Sequence, residues 1–184
     1  MSTDWRAEHQ LLANAGIVIA RGLTDSELQD AESEIGSAIP ADLREFLSQG
    51  LPTGEKFPDW RQPRSVALRE QLDWPFEGIT FDITNNSFWL EEWGPRPDEL
   101  RDAIATARRF VSAAPRLIPI FAHRYIPAEP CVSGNPIFSV YQPDIIYYGV
   151  DLANYLRCEF RPSAVDNAAW HEPREIRFWS SLAG

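Results

Sequence analysis

Gly134-Asn-Pro-Ile-Phe-Ser-Val-Tyr-Gln-Pro-Asp-Ile-Ile-Tyr-Tyr-Gly149 is the stretch on which the fold turns. It reads as two short strands, Ile137 to Tyr141 and Ile145 to Tyr148. Both are filled with β-branched and aromatic residues that suit a pleated, half-buried surface. Gln142-Pro143-Asp144 turns the chain between them, because Pro fixes φ and Asp tolerates tight turn geometry. Gly134 and Gly149 bracket the pair, where strands stop. A link this short demands antiparallel pairing. The pair is expected at the centre of a sheet. Tyr147 and Tyr148 must point to opposite faces, one into the core and one outward.

Upstream, Leu117 to Phe121 reads as a further strand, and residues 122–133 read as loop. Gly78 to Thr84 alternates: Ile79, Phe81 and Ile83 on one side, Thr80, Asp82 and Thr84 on the other. That period of two predicts a half-buried strand. Asn85-Asn86-Ser87 would turn the chain, and Phe88 to Trp93 would return as its hairpin partner. Between these strands lies a helix, capped by Asp98, with Leu100, Ala103, Ile104, Ala107 and Val111 in one stripe and Pro115 as its stop.

The N-terminal half is helical. A helix from about Trp5 to Ala13 comes first, and Ile17-Val18-Ile19 is either strand or extended loop. Thr24 and Glu27 form a capping box, with Leu23 and Leu28 at the staple positions. Leu28, Ala31 and Ile35 share a face, and Gly36 ends that helix. Pro40 opens a second helix in which Leu43, Phe46 and Leu47 face the core. Residues 51–77 contain Pro52, Pro58, Pro63 and Pro75 and read as a long loop, with a helical turn near Val66–Gln71. At the other end, a helix runs from Asp151 or Leu152 to Phe160, and a weaker one from Pro173 to Leu182. Helices first, then adjacent strands with one helix inserted, define an α+β fold. Its antiparallel sheet should hold about four to six strands.

Length and composition narrow the function classes. A chain of 184 residues is expected to be one domain, long enough to bury roughly 70% of its unfolded surface. Its 44% hydrophobic content excludes a disordered chain. No apolar run reaches the ~20 residues of a membrane span. Met1-Ser-Thr-Asp-Trp-Arg has no basic stretch before an apolar core, so no leader is expected. Cys131 and Cys158 are the only cysteines, which suits reduced thiols in the cytoplasm. The formal charge of −10 argues against a nucleic-acid partner. It suits solubility, or attraction of a basic protein.

Signs of bound chemistry are sparse. His123, His171, Cys131 and Cys158 lack the close spacing of a zinc site. Ser133 and Ser139 lack a nucleophile-elbow context. Gly134 lies in no phosphate loop. No catalytic residue, metal or cofactor is therefore expected.

The N-terminal run Gly22-Leu-Thr-Asp-Ser-Glu-Leu28, then Glu32 and Glu34-Ile-Gly36, then Ile39-Pro-Ala-Asp-Leu-Arg-Glu-Phe-Leu47, resembles the opening of the SUKH superfamily. That superfamily includes a fungal cell-wall-synthesis regulator of the Smi/Knr type and many bacterial proteins. Trp74-Pro, Phe81-Asp82, Trp89, Pro119-Ile and Gly134-Asn-Pro-Ile continue the similarity over residues 22–160. Ile39 stands where the family has Leu. Phe57-Pro-Asp-Trp-Arg61 and the tail after residue 160 are outside its pattern. The resemblance implies a curved antiparallel sheet backed by helices. It also implies an immunity protein that binds and neutralises a cognate toxin, and it carries no catalytic residues.

The residues expected at such an interface are Asp59, Trp60, Arg61, Asp82, Trp89, Glu91, Glu92, Trp93 and Tyr147. Rigid aromatics beside charged groups are what protein interfaces use as anchors. The 57–61 loop and the 82–93 hairpin would form the contacting face. Two other classes stand beside the binder. One is a hydrolase in which Asp82 and one of Glu91 and Glu92 act as a carboxylate pair near the Trp cluster. The other is a small-ligand or regulatory scaffold. Sheet packing by the aromatics and solvation of the carboxylates is the plainer account of the same residues.

Overall fold

A computed structural model describes residues 4–160 and 172–183. Helices α1 (Arg6–Asn14), α2 (Asp25–Ile35) and α3 (Ala41–Gln49) open the chain, with short strands β1 (Val18–Ala20) and β2 (Leu51–Thr53) paired antiparallel. Helix α4 (Val66–Asn85), a 3-10 turn (Glu91–Trp93) and helix α5 (Leu100–Ala113) follow. Strands β3 (Leu117–Phe121), β4 (Arg124–Pro127), β5 (Ile137–Tyr141) and β6 (Asp144–Gly149) form one antiparallel sheet in chain order. Helices α6 (Leu152–Phe160) and α7 (Trp179–Leu182) complete an α+β architecture. No helix among the described residues is long and apolar enough to cross a membrane.

Local chemistry explains the elements that form as expected. Thr24 Oγ1 accepts the Glu27 backbone N–H, and Glu27 Oε2 accepts that of Thr24, closing the capping box of α2. Leu28, Ala31 and Ile35 are buried on one face of α2, and Leu43, Phe46 and Leu47 on one face of α3. β5 and β6 meet across Gln142-Pro143, with Tyr141 opposite Asp144. Gln142 has φ +59°, which with a following Pro gives a primed hairpin turn.

Each strand of the sheet feeds two cores, since successive side chains alternate. Ile118, Ile126 and Ile137 pack with Leu12, Leu28, Leu43 and Leu156, on the side of α1, α2, α3 and α6. Tyr125, Phe138, Val140 and Ile145 pack with Ile79, Ile83, Ala107 and Trp179, on the side of α4, α5 and α7.

Residues 78–93 depart from expectation. They are not a hairpin: 66–85 is one helix of 20 residues. Its buried positions Leu68, Leu72, Pro75, Ile79 and Ile83 recur at helical spacing. Ile79 and Ile83 satisfy both a period of two and a helical i, i+4 pair. Phe81 and Asp82 discriminate: Phe81 is half exposed rather than in the sheet, and Asp82 is buried on the helix face of Ile79 and Ile83. Ser65 starts the helix by accepting the Leu68 N–H. β4 lies inside the expected 122–133 loop, joined to β3 through Ala122-His123. The residue capping α5 is Glu99, without a side-chain bond, rather than Asp98. The expected helix over 173–182 shortens to α7.

Pro75 removes a backbone donor in mid-helix, which would strand the Gln71 carbonyl. The Tyr125 hydroxyl donates to that carbonyl at 2.8 Å. Burial pushes the Tyr125 phenol well above its ordinary pKa, so the group stays a donor. Tyr125→Phe is expected to cost about 1–3 kcal/mol in denaturant melts, because it leaves the Gln71 carbonyl without this partner. A loss within error would mean that water replaces the hydroxyl.

The Gly134-Asn135 strand entry is a structural clasp. Gly134 has φ +83°, a conformation that favours glycine, and its N–H donates to Asp42 Oδ2 at 2.8 Å. Fully buried Asn135 donates from Nδ2 to the carbonyls of Pro127 and Pro130, each at 2.9 Å. Its Oδ1 accepts from Arg174. One dipeptide thus joins α3, the end of β4 and the C-terminal segment.

Candidate functional site: an acidic aromatic groove

The residues expected at an interface fall in separate places. Asp59, Trp60 and Arg61 lie beside α2. Asp59 caps its own turn, accepting from the Arg61 N–H and from Gln62 Nε2. Trp60 is 2% exposed and belongs to the core of α1, α2 and α3. Arg61 Nε lies 3.3 Å from Glu27 Oε1, and Arg21 Nη2 lies 2.8 Å from the same oxygen.

Bonds from Arg21 and from the Thr24 backbone hold the Glu27 carboxyl down to about 2. The depressed folded value means that this stabilisation is present above the ordinary value of 4.5 and is lost as pH falls towards 2. The stability gap between the native chain and Glu27→Gln should therefore shrink through that window in acid titrations of the melting midpoint. A gap independent of pH would refute the assignment.

Trp89, Glu91, Glu92, Trp93 and Tyr147 lie on the other side of the sheet with Asp82. Trp93 is 5% exposed and packs edge-on against Phe88 and Trp89. Half-buried Trp89 donates from Nε1 to the Gly94 carbonyl at 2.8 Å. Asp82 is buried on α4 and accepts from Asn86 Nδ2. Glu91 and Glu92 are exposed on the 3-10 turn. Without a hairpin, the expected pairing of Asp82 with one of these glutamates across two strands does not form. Tyr147 donates to Ser180 Oγ at 2.6 Å, tying β6 to α7.

The sequence reading missed an open groove on this surface. A groove of about 710 Å³ runs between α4 and the sheet, lined by Ala67, Glu70, Trp74, Glu77, His123 and Tyr141 among others. Glu70, Trp74 and Glu77 share a helix face at i, i+4 and i+7. Trp74 is 42% exposed and Tyr141 59%. Their ring centroids lie 6.5 Å apart at 56°. Trp74 Nε1 donates to the Val140 carbonyl at 3.3 Å, which orients the indole. Tyr125 at the groove floor ties both walls together through Gln71. At Gly78 a Cβ would stand 2.6 Å from Gln142 Cα, so α4 can approach the β5–β6 turn only through glycine. A helical reading of 66–85 would have shown the Glu70-Trp74-Glu77 face. Its partner Tyr141 is a matter of tertiary structure.

The groove is negatively charged. Glu70 and Glu77 have no ion-pair partner among the described residues. Neighbouring Arg69 and Arg116 are committed to Glu34 and Asp73. His123 is held below its ordinary pKa, by burial first and then by the Arg124 charge, which favours the neutral ring. Beside it, Arg124 lies 3.7 Å over the Tyr148 ring and donates to Ser139 Oγ, and its Nε is 3.4 Å from Glu159 Oε2. That pair is largely buried and balances its own charge. A second cleft, of about 320 Å³ between α4 and α5, contains the Asp73–Arg116 pair and Arg108 stacked on Phe76.

No group of three or more His, Cys, Asp or Glu among the described residues can hold a metal ion. His171 of the weighed zinc set lies outside the described residues. Comparisons with protein-family models, curated proteins and solved structures find no match to this chain.

Proposed function

We propose that the chain is a non-catalytic protein-binding domain of the cytoplasm whose contact surface is the groove between α4 and the β3–β4 and β5–β6 turns. One observation carries this reading. Trp74 and Tyr141 stand open to solvent in a shaped groove, beside two carboxylates that nothing in the described chain neutralises. Large aromatics in a concave patch are typical binding anchors, and the −10 charge favours a basic partner. The SUKH-like residues of 22–160 support a more specific form: an immunity protein that occludes a bacterial toxin.

The hydrolase reading has less support, since Asp82 is bonded within its own helix and its expected hairpin geometry is missing. The test is co-expression with proteins encoded beside this chain, followed by capture and by rescue from toxicity. Retention of a basic partner, with growth restored, is the expected result. Turnover of a small substrate that vanishes in Asp82→Asn, with no partner retained, would replace the binder by an enzyme.

A further inference from the structure

We infer that the groove is a slot for a single arginine or lysine side chain of the partner protein, with the Trp74 and Tyr141 rings as its walls and Glu70 and Glu77 as its charged rim. This deepens the binding reading above and rests on it. The two rings form a V, 6.5 Å between centroids and 56° between planes. A cationic head entering the V comes within about 6 Å of both rings, the range in which the ring quadrupole attracts it.

The chain uses this contact elsewhere. Arg108 lies 4.1 Å from the Phe76 centroid, Arg124 3.7 Å from Tyr148 and Arg96 5.9 Å from Trp89. Trp74 and Tyr141 have their rings exposed and no cation over either among the described residues. Arginines on or beside α4 are already engaged: Arg69 with Glu34, Arg116 with Asp73, Arg108 over the Phe76 ring and Arg96 on the Ile83 carbonyl. Glu70 and Glu77 flank Trp74 on the same helix face, one turn and nearly one turn away. Their spacing lets a guanidinium or ammonium on the indole reach a carboxylate on either side. A neutral or acidic side chain would leave both carboxylates facing a closed surface without a partner, which is costly. The bond from Trp74 Nε1 to the Val140 carbonyl fixes the ring before anything binds.

The test titrates the full isotope-labelled chain with acetyl-Gly-Arg-Gly-amide and with its citrulline counterpart, following the Trp74 indole N–H. Citrulline keeps the shape and removes the charge. The arginine peptide is expected to give a saturable shift, with citrulline at least about fivefold weaker. Glu70→Gln combined with Glu77→Gln should abolish the preference. Equal response to both peptides, no response to either, or a preference that survives the double variant would overturn the slot.

Capture of the partner protein separates the two levels. Loss of capture in Trp74→Ala but not in the double glutamine variant would sink the slot and keep the groove. Undiminished capture in both Trp74→Ala and Tyr141→Ala would sink the groove itself.

Discussion

Trp93→Ala is expected to remove about 3–5 kcal/mol of stability, the range for truncating a large aromatic in a packed core. Trp93 is 5% exposed. Its ring stands at the junction of four others: Phe88 at 5.8 Å, Trp89 at 5.1 Å, Phe110 at 6.1 Å and Phe178 at 6.4 Å between centroids. Removing it leaves a cavity between the 3-10 turn, α5 and the C-terminal segment, and those elements can close it only by moving together. The measurement is the denaturant midpoint at unchanged slope. A loss under about 1 kcal/mol would mean that the 3-10 turn is peripheral to the core rather than part of it. Sequence alone suggests that Trp93 is an interface anchor. Its burial assigns it to packing.

Trp74→Ala is expected to do the opposite. It should weaken capture of the partner by about 2–4 kcal/mol, or roughly 30- to 1,000-fold. Its effect on stability should stay near 1 kcal/mol, since 42% of the residue is already exposed. Paired measurement of affinity and melting midpoint separates the two. A variant that loses both together would make Trp74 a structural residue, and the groove would lose its anchor.

The parts of the fold that were legible are those in which local signals agree. Thr24, Glu27 and Gly36 mark the two ends of α2, and the apolar stripe between them has only one period. The β5–β6 hairpin is written in its own residues, from Ile137 through the Gln142-Pro143 turn to Tyr148. α4 was not legible because its local signals conflict. Pro75 and Gly78 read as breakers, and Ile79 and Ile83 fit two periods at once. What overrides them is tertiary: Tyr125 takes up the carbonyl that Pro75 strands, and Gln142 packs against Gly78. β4 was missed because four residues between His123 and Ala128 are too few to display an alternation.

The candidate site failed for the same reason as α4. Glu70, Trp74 and Glu77 become neighbours only when 66–85 is wound as a helix. A hairpin over 78–93 instead brings Asp82, Trp89, Glu91 and Glu92 together.

The bond from Tyr125 to Gln71 has a consequence for how fast and how selectively the groove can work. A proline inside a helix is commonly a hinge, because the ladder is broken there. Here the broken rung is mended from the sheet, so the helix wall cannot swing away from the strand wall without losing that bond. The glycine contact at Gln142 holds the same wall about two turns beyond Gln71. The cavity is therefore formed without an occupant, and a partner docking there as proposed would lose little ordering entropy. Recognition through such a mould is rigid-body recognition. It discriminates against partners whose shape is wrong instead of adapting to them, and its rate is governed by long-range charge attraction rather than by an opening step.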